Sequence, residues 1–307
     1  MKTNTDEATR ARLEGAIVRA VNFLAHRQLP YGEFKTIAAS DRLLKRNARF
    51  DSSPFITAWV ADCLSYCHGP QVKAMTRRAV RYLQAEMEGS GLWRYWSSRN
   101  ETHDYLPPDL DDTCCISALL RKLGQPVPRN REYILANRNK EGQFLTWMVP
   151  REDSPRRVAK ALRPLIDQGA RAVWSMQGIL ENVDPGVNAN VLTYLGEGAE
   201  TRAATGYLID LVCEDRTPTS PSFYPDALTF HYLVSRAYAS GVRAQGETRA
   251  AIVERVMAVQ NSRGGFGNEL MTAFGICTLL NFERCGSEEL TTAMCVQALA
   301  RHYQKVY

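Results

Sequence analysis

A short pattern recurs along this chain and restricts the folds that it can adopt. Gln-x-x-x-Gly-x-aromatic occurs as QLPYGEF at residues 28–34 and as QNSRGGF at residues 260–266. RNKEGQF at 138–144 fits with Arg in place of Gln, and GLW at 91–93 supplies the second half. Four copies of one pattern predict a supersecondary unit that is repeated along the chain.

The sequence around these copies is typical of helices. Apolar residues recur at helical spacing, and strand-like alternation is scarce. Pro54 suits the first turn of a helix, and Gly124 suits a C-terminal cap. We therefore predict an all-α protein with helices over the following ranges: 8–27, 54–67, 71–87, 110–123, 129–138, 159–180, 187–195, 200–213, 227–239, 247–260, 270–282 and 288–303.

About twelve helices in alternating pairs predict a single α6–α6 (α/α) barrel of helical hairpins. In each pair the Gln amide would bond main-chain groups at a helix end, the Gly would permit the turn, and the aromatic ring would fill the gap between helices. The second helix of each pair would line the centre. No linker rich in Pro, Gly or Ser divides the sequence, so we expect one domain over residues 1–307.

Composition excludes several classes of protein. The net charge of +5 is mild for 307 residues, and the basic residues do not alternate with aromatic ones, so we expect no nucleic-acid partner. The eight cysteines lie mostly in apolar helical runs and are expected to be reduced. The uncharged stretch at 270–282 is too short to span a membrane, and the start of the chain has no targeting pattern. The expected location is the cytoplasm.

Three aspartates stand at the start of one predicted inner helix. In YLPPDLDDTCCISALL, Asp109, Asp111 and Asp112 follow two prolines and precede an apolar run. Helix capping accounts for one or two of these carboxylates but not for three. Crowded carboxylates in an apolar cavity cannot all ionise, so one proton is retained near neutral pH. A neutral carboxylic acid of this kind can protonate an alkene.

These motifs resemble those of class II terpene cyclases, the group that includes squalene–hopene and diterpene cyclases. DLDDT is similar to their Asp-x-Asp-Asp-Thr motif, and the repeats resemble their QW repeats. The resemblance implies an α6–α6 barrel, cyclisation started by protonation of an alkene or epoxide, and no metal or other cofactor in the acid step. It also implies that Asp111 donates the proton, with Asp109 and Asp112 as supporting carboxylates.

Length distinguishes this chain within that group. Squalene and plant diterpene cyclases have two or three helical domains, whereas 307 residues suffice for one barrel. The chain is therefore most similar to the monodomain class II cyclases that act on meroterpenoids. This implies a hydrophobic prenylated small molecule as substrate, with a chain of sesquiterpene to diterpene length and an aromatic acid head group. Such a greasy substrate is compatible with peripheral membrane contact.

Side chains near the starts of inner helices are candidates for the substrate-binding wall. Aromatic rings there would stabilise a migrating cation, and an amide would position water or a head group. The candidates are Phe55, Trp59, Tyr105, Asn190, Tyr224, Phe230 and Phe274.

Two alternatives stay open at this stage. Protein prenyltransferases share the barrel and bind zinc through Asp, Cys and His, for which Asp112, Cys114 and His231 are candidates. A helical-repeat scaffold without catalysis is the second alternative. The Asp-Asp-x-x-Asp pattern of class I synthases is absent from the sequence, so we do not expect ionisation of a diphosphate.

Overall fold

The computed structural model describes residues 3–40, 45–148, 181–216, 223–224 and 226–282. These residues are mainly helical, as predicted. The predicted helices 159–180 and 288–303 lie outside the described residues. The α-helices are α1 Thr3–Arg27, α2 Pro54–Leu64, α3 Pro70–Ala85, α4 Leu110–Lys122, α5 Arg131–Ala136, α6 Pro185–Leu195, α7 Arg202–Cys213, α8 Ala227–Ala239, α9 Arg249–Ala258 and α10 Glu269–Phe282.

Several helices are shorter than the apolar pattern indicates. α5 ends at Ala136, since the Asn137 amide donates to the carbonyls of Leu145 (2.7 Å) and Trp147 (3.2 Å). The predicted helix 247–260 begins instead with a 3₁₀ helix, Arg243–Thr248. The spacing of apolar residues does not distinguish the hydrogen bonds of a 3₁₀ helix from those of an α-helix over so few residues.

A short antiparallel ladder, absent from the prediction, joins α1 to α2. Strands β1 (Ile37–Ala38) and β2 (Arg49–Phe50) pair Ile37 with Phe50 and Ala38 with Arg49. Two residues per strand are too few for an alternating pattern to appear in the sequence.

The glutamine of the repeat bonds the main chain as expected. The Gln28 amide nitrogen donates to the carbonyls of Gly32 and Met75, both at 2.9 Å, and its oxygen accepts from Arg78 at 3.0 Å. In a second copy Gln260 donates to the Gly264 carbonyl at 3.1 Å. One side chain therefore closes the turn, and in the first copy it also ties that turn to α3.

The glycines and aromatic residues of the repeat also have structural roles. Gly32, Gly91, Gly142 and Gly264 all have positive φ, which side chains with a Cβ rarely adopt. Two residues after each glycine, the aromatic side chain is buried against neighbouring helices. These side chains are Phe34, Trp93, Phe144 and Phe266.

A threonine completes the unit and was missed by the sequence analysis. The main-chain N–H of Phe34 donates to the Thr57 hydroxyl at 3.0 Å, and that of Trp93 donates to Thr113 at 3.1 Å. The N–H of Phe266 donates to Thr272 at 3.1 Å. Each threonine is the fourth residue of its helix. In these three copies, a threonine at the fourth position of the following helix therefore accompanies the aromatic residue of the repeat.

The described chain divides into two compact units. One unit has residues of Met1–Val18, Lys140–Gln143 and Asp184–Tyr307, and the other has residues of Arg19–Asn139 and Phe144–Val183. In the second unit α2, α3 and α4 pack around an apolar cluster that includes Met75, Leu83 and Trp93. In the first, α8 packs against α6 and α10. The single domain and the closed barrel stay predictions.

A helix crosses a bilayer only if it is long and apolar enough to span the hydrocarbon core. Among the described helices, none combines the length and the apolar character needed to cross a bilayer.

A pair of glycine variants tests the turn of the repeat. Gly32 and Gly69 have φ of 114° and 121°, but only a Cβ at Gly32 meets the chain, 2.1 Å from the Arg78 carbonyl oxygen. Both Gly32→Ala and Gly69→Ala incur backbone strain, and we expect Gly32→Ala to lose about 1–3 kcal/mol more stability because of the overlap. Urea unfolding measures the difference, and equal losses would contradict the role of the close approach.

Candidate active site

The three aspartates occupy the first turn of α4. Asp109 is the N-cap residue, and its Oδ1 accepts the N–H of Asp112 at 2.8 Å. Asp111 and Asp112 follow within the turn, where the helix dipole favours negative charge. Capping therefore explains Asp109 but not the presence of its two neighbours.

The main chain on either side holds this turn in place. The N–H of Asp109 donates to the Trp93 carbonyl at 3.2 Å, and the N–H of Leu110 donates to the Thr146 carbonyl at 2.9 Å. Asp109 also forms an isolated antiparallel bridge with Trp147. Two loops thus determine the position of the carboxyl groups.

Burial differs among the three carboxyl groups. Asp109 is 4% exposed and Asp112 is 2% exposed, whereas Asp111 is of intermediate exposure. The Oδ1 atom of Asp112 has no hydrogen-bond partner among the described residues. A buried pair therefore lies beside one carboxyl group that is partly exposed.

Burial of the pair favours the protonated form. Desolvation raises the pKa of Asp109 to about 6, although hydrogen bonds from Asp112 act in the opposite direction. The pKa of Asp112 is raised well above its ordinary value, first by desolvation and then by the charge of Asp109. The two groups are close enough to titrate together, so the pair keeps a proton as pH approaches neutrality.

A row of aromatic rings lies in the same unit. The ring centroids are 5.8 Å apart for Trp59–Phe55, 6.3 Å for Phe55–Tyr95, 5.8 Å for Tyr95–Trp96 and 6.5 Å for Trp96–Tyr105. We call these five residues the aromatic row. It brings together three predicted residues, Phe55, Trp59 and Tyr105, and adds Tyr95 and Trp96, which the sequence analysis missed.

Tyr95 connects the aromatic row with the aspartates. Burial raises its pKa to about 12, and the nearby charges of Asp51, Asp112 and Asp109 act in the same direction. Tyr95 and Trp96 stand two and three residues after Trp93, the last residue of the GLW copy of the repeat. Their position beside that copy is the signal that could have identified them.

Asp51 is a further residue of this region that the sequence analysis missed. It is largely buried, and its Oδ1 accepts hydrogen bonds from the Trp96 indole and the Asn100 amide, both at 3.0 Å. It lies three residues before α2 begins at Pro54. Its carboxylate fixes the orientation of Trp96 within the aromatic row.

The remaining predicted substrate-binding residues belong to the other unit. Asn190 is buried, its amide donates to the Tyr224 hydroxyl at 3.4 Å, and its oxygen accepts from Arg236 at 3.3 Å. Phe230 is also buried. Phe274 stacks on Tyr232, with centroids 4.9 Å apart. Asn190 and Tyr224 are thus direct neighbours, and their contact with a substrate stays a prediction.

The zinc alternative finds no support in the described part of the chain. There, no three His, Cys, Asp or Glu side chains are grouped so as to hold a metal ion. Burial raises the pKa of the Cys114 thiol. Burial lowers the pKa of His231 to about 4, with Arg255 acting in the same direction. The imidazole is therefore neutral near pH 7, which is the form that binds metals, so this shift does not argue against zinc.

The variant Asp109→Asn tests the raised pKa, because Asn still caps α4 but does not titrate. The pKa of Asp109 is about 6 in the folded protein against an ordinary value of 3.8. The folded state binds more protons between these values, so its free energy of unfolding falls as pH rises through about 4 to 6.

We therefore expect the variant to gain stability relative to the wild type over this pH range, by up to roughly 3 kcal/mol. Urea unfolding of both proteins at several pH values measures the gain. A difference that stays constant with pH would contradict the raised pKa.

Comparisons with known proteins add one result. No family model and no curated protein sequence matches the chain. Type II terpene cyclase MstE from Scytonema, without ligand, matches 94% of this chain and 78% of its own, with a TM-score of 0.66 and 18% identity. A variant of MstE bound to geranylgeranyl dihydroxybenzoate, named as its substrate, also matches. The match covers 97% of this chain and 80% of the MstE chain, with a TM-score of 0.68 and 18% sequence identity.

A third match is a variant of the same cyclase in complex with merosterolic acid A, named as its product. It covers 96% of this chain and 81% of its own, with a TM-score of 0.68 and 16% identity. At such low identity the likeness is one of fold. The resemblance stated from the sequence is confirmed at that level: this chain has the fold of a type II, or class II, terpene cyclase.

Proposed function

We propose that this protein is a class II terpene cyclase that protonates a linear polyprenyl chain and guides the resulting cation through ring closure. One observation carries the proposal: a partly exposed carboxyl group, Asp111, lies beside a buried carboxyl pair whose pKa values are raised. The aromatic row occupies the same unit, and Tyr95 is near enough to the pair for the charges to influence its pKa.

Asp111 is the proposed proton donor. An acid must touch the alkene or epoxide that it protonates, and Asp111 is the least buried carboxyl group of the three. An ordinary aspartate would need about 4 kcal/mol to be protonated at pH 7. An apolar, crowded environment lowers that requirement, because it disfavours the anion.

Asp109 and Asp112 are the proposed supporting carboxyl groups. A pair that shares a proton adds less negative charge beside Asp111 than two carboxylates would. When Asp111 loses its proton to the substrate, the pair can redistribute its own proton and hydrogen bonds around the new anion. Asp109 also keeps the turn in place as the cap of α4.

The aromatic row is the proposed wall for the cation. The faces of Trp, Tyr and Phe rings attract positive charge by about 0.5–2 kcal/mol each. Asn190, Tyr224, Phe230 and Phe274 remain further candidates for substrate contact. Loss of a proton or capture of water ends the cascade, and no diphosphate bond is broken.

The proposed substrate is a prenylated aromatic acid. MstE, which shares the fold, has been captured with geranylgeranyl dihydroxybenzoate as substrate. The net charge of +5 is also compatible with an acidic small molecule. We propose a chain of sesquiterpene to diterpene length, without a cofactor, and peripheral contact with a membrane during substrate uptake.

The variant Asp111→Asn tests the acid. We expect purified wild-type protein, treated with EDTA, to convert geranylgeranyl dihydroxybenzoate into a cyclic isomer of unchanged mass. Asp111→Asn should lose at least roughly a hundredfold in rate, since the amide has no acidic proton. Mass spectrometry and NMR identify the product, and thermal unfolding confirms that the variant folds.

Asp184→Asn is the matched control. Asp184 is also a buried N-cap aspartate, but its oxygens accept main-chain N–H groups of Gly186 (2.7 Å), Val187 (3.1 Å) and Phe223 (2.9 Å). This variant should lose stability and keep its turnover. If the wild type leaves every prenylated substrate unchanged, the fold has been retained without the reaction, and the scaffold alternative gains support.

Phe55→Leu tests the aromatic row. Leucine keeps an apolar side chain but removes the ring face, so we expect a rate loss of roughly twofold to thirtyfold, or products released after fewer ring closures. Tyr66→Leu is the control. It removes a ring that is 75% exposed and lies two residues after the end of α2, and it should leave the product pattern unchanged. Identical product patterns for wild type and Phe55→Leu would contradict the role of this ring.

A further inference from the structure

The main chain of one residue, Trp93, contacts the first turn of α4 at two points. The N–H of Trp93 donates to the Thr113 hydroxyl at 3.1 Å, and the carbonyl of Trp93 accepts the N–H of Asp109 at 3.2 Å. Asp111 and Asp112 lie between the two residues that are held. The turn cannot rotate or slide along its axis without breaking one of these bonds.

Trp93 is itself fixed in the core. Its side chain is fully buried, and its indole N–H donates to the Leu83 carbonyl of α3 at 2.7 Å. Two residues earlier, the Gly91 carbonyl accepts from the Asn130 amide at 2.8 Å. A Cβ on Gly91 would lie 2.3 Å from Pro128, so the loop packs closely there. The support for the acid turn therefore extends to α3 and to the loop before α5.

The other repeat copies show which part of this arrangement is general. Phe34 and Phe266 also donate their N–H groups to threonines, Thr57 and Thr272. In the first copy, however, the N-cap residue of α2 is held by a side chain, since the Ser53 N–H donates to Glu33 at 2.9 Å. At α4, the N–H of the N-cap residue is held instead by a main-chain group, the Trp93 carbonyl. That N-cap residue is Asp109, which carries one of the carboxyl groups of the site.

We propose that Trp93 and Thr113 are positioning residues that fix the acid-bearing turn of α4 relative to the substrate, an inference that rests on the proposed function. Thr113 does not react itself. Its hydroxyl acts through the Trp93 peptide, which in turn holds Asp109. Loss of the hydroxyl frees one end of the turn, and Asp111 then samples orientations that do not reach the alkene.

The variants Thr113→Val, Thr57→Val and Thr272→Val test this role. All three lose the same type of hydrogen bond and should lower the melting temperature. Thr113→Val should reduce kcat by roughly tenfold to a hundredfold, with little change in KM, and by clearly more than either of the other two variants, because misplacement of a reacting group by about 1 Å has effects of this size. Thr113→Ser retains the acceptor and should restore most of the rate.

A second measurement does not depend on turnover. Carbon-13 NMR of labelled aspartate carboxyl groups follows the titration of the Asp109–Asp112 pair, and we expect Thr113→Val to shift its midpoint while Thr57→Val leaves it unchanged. Thr113→Ala, which adds no methyl group beside the Trp93 N–H, serves the same purpose if the valine variant is poorly folded.

The outcomes distinguish this inference from the proposed function. Equal effects of Thr113→Val and Thr57→Val on both turnover and titration, at equal folded fractions, would overturn the positioning role. If the wild type forms no cyclic product but Thr113→Val still shifts the titration, the proposed reaction fails while the positioning of the carboxyl groups stands.

Discussion

A hydrogen bond from the main chain of a buried aromatic residue to a threonine hydroxyl joins each of three repeat loops to the helix that follows. It is seen at Phe34, Trp93 and Phe266. A buried N–H without a partner costs free energy, so each loop is committed to one position along its helix. The aromatic side chain fills the apolar space next to that bond. This hydrogen bond therefore fixes the start of each of these helices relative to its repeat loop, and the candidate site lies at one such helix start.

The candidate site uses this rigidity to keep two carboxyl groups in an unfavourable environment. Asp109 and Asp112 are almost completely buried, and their pKa values rise because water is excluded. Groups of this kind reduce stability, and the surrounding core has to compensate for that loss. Perturbed carboxyl groups beside a row of aromatic rings match the requirements of cation chemistry, in which an acid starts the reaction and ring faces stabilise the charge.

Much of this site could be predicted from the sequence. The three aspartates are adjacent in the chain, so their shared helical turn follows from local rules alone. Phe55, Trp59 and Tyr105 were predicted from their places near helix starts, and they lie in one aromatic row. Tyr95 and Trp96 were missed although they stand beside the GLW copy of the repeat, and Asp51 was missed because it reaches Trp96 from 45 residues away. Contacts across that distance leave no periodic trace in a single sequence.

The sequence by itself determined the helical class, the recurring turn and the grouping of aspartates at one helix start, since these depend on residues within a few positions of one another. Only the tertiary structure decided which carboxyl groups are buried and which one is partly exposed. Burial depends on how α2, α3 and α4 and the loops at Trp93 and Thr146 pack together. The pKa of a carboxyl group depends on the water that this packing removes, and no local pattern of residues encodes that quantity.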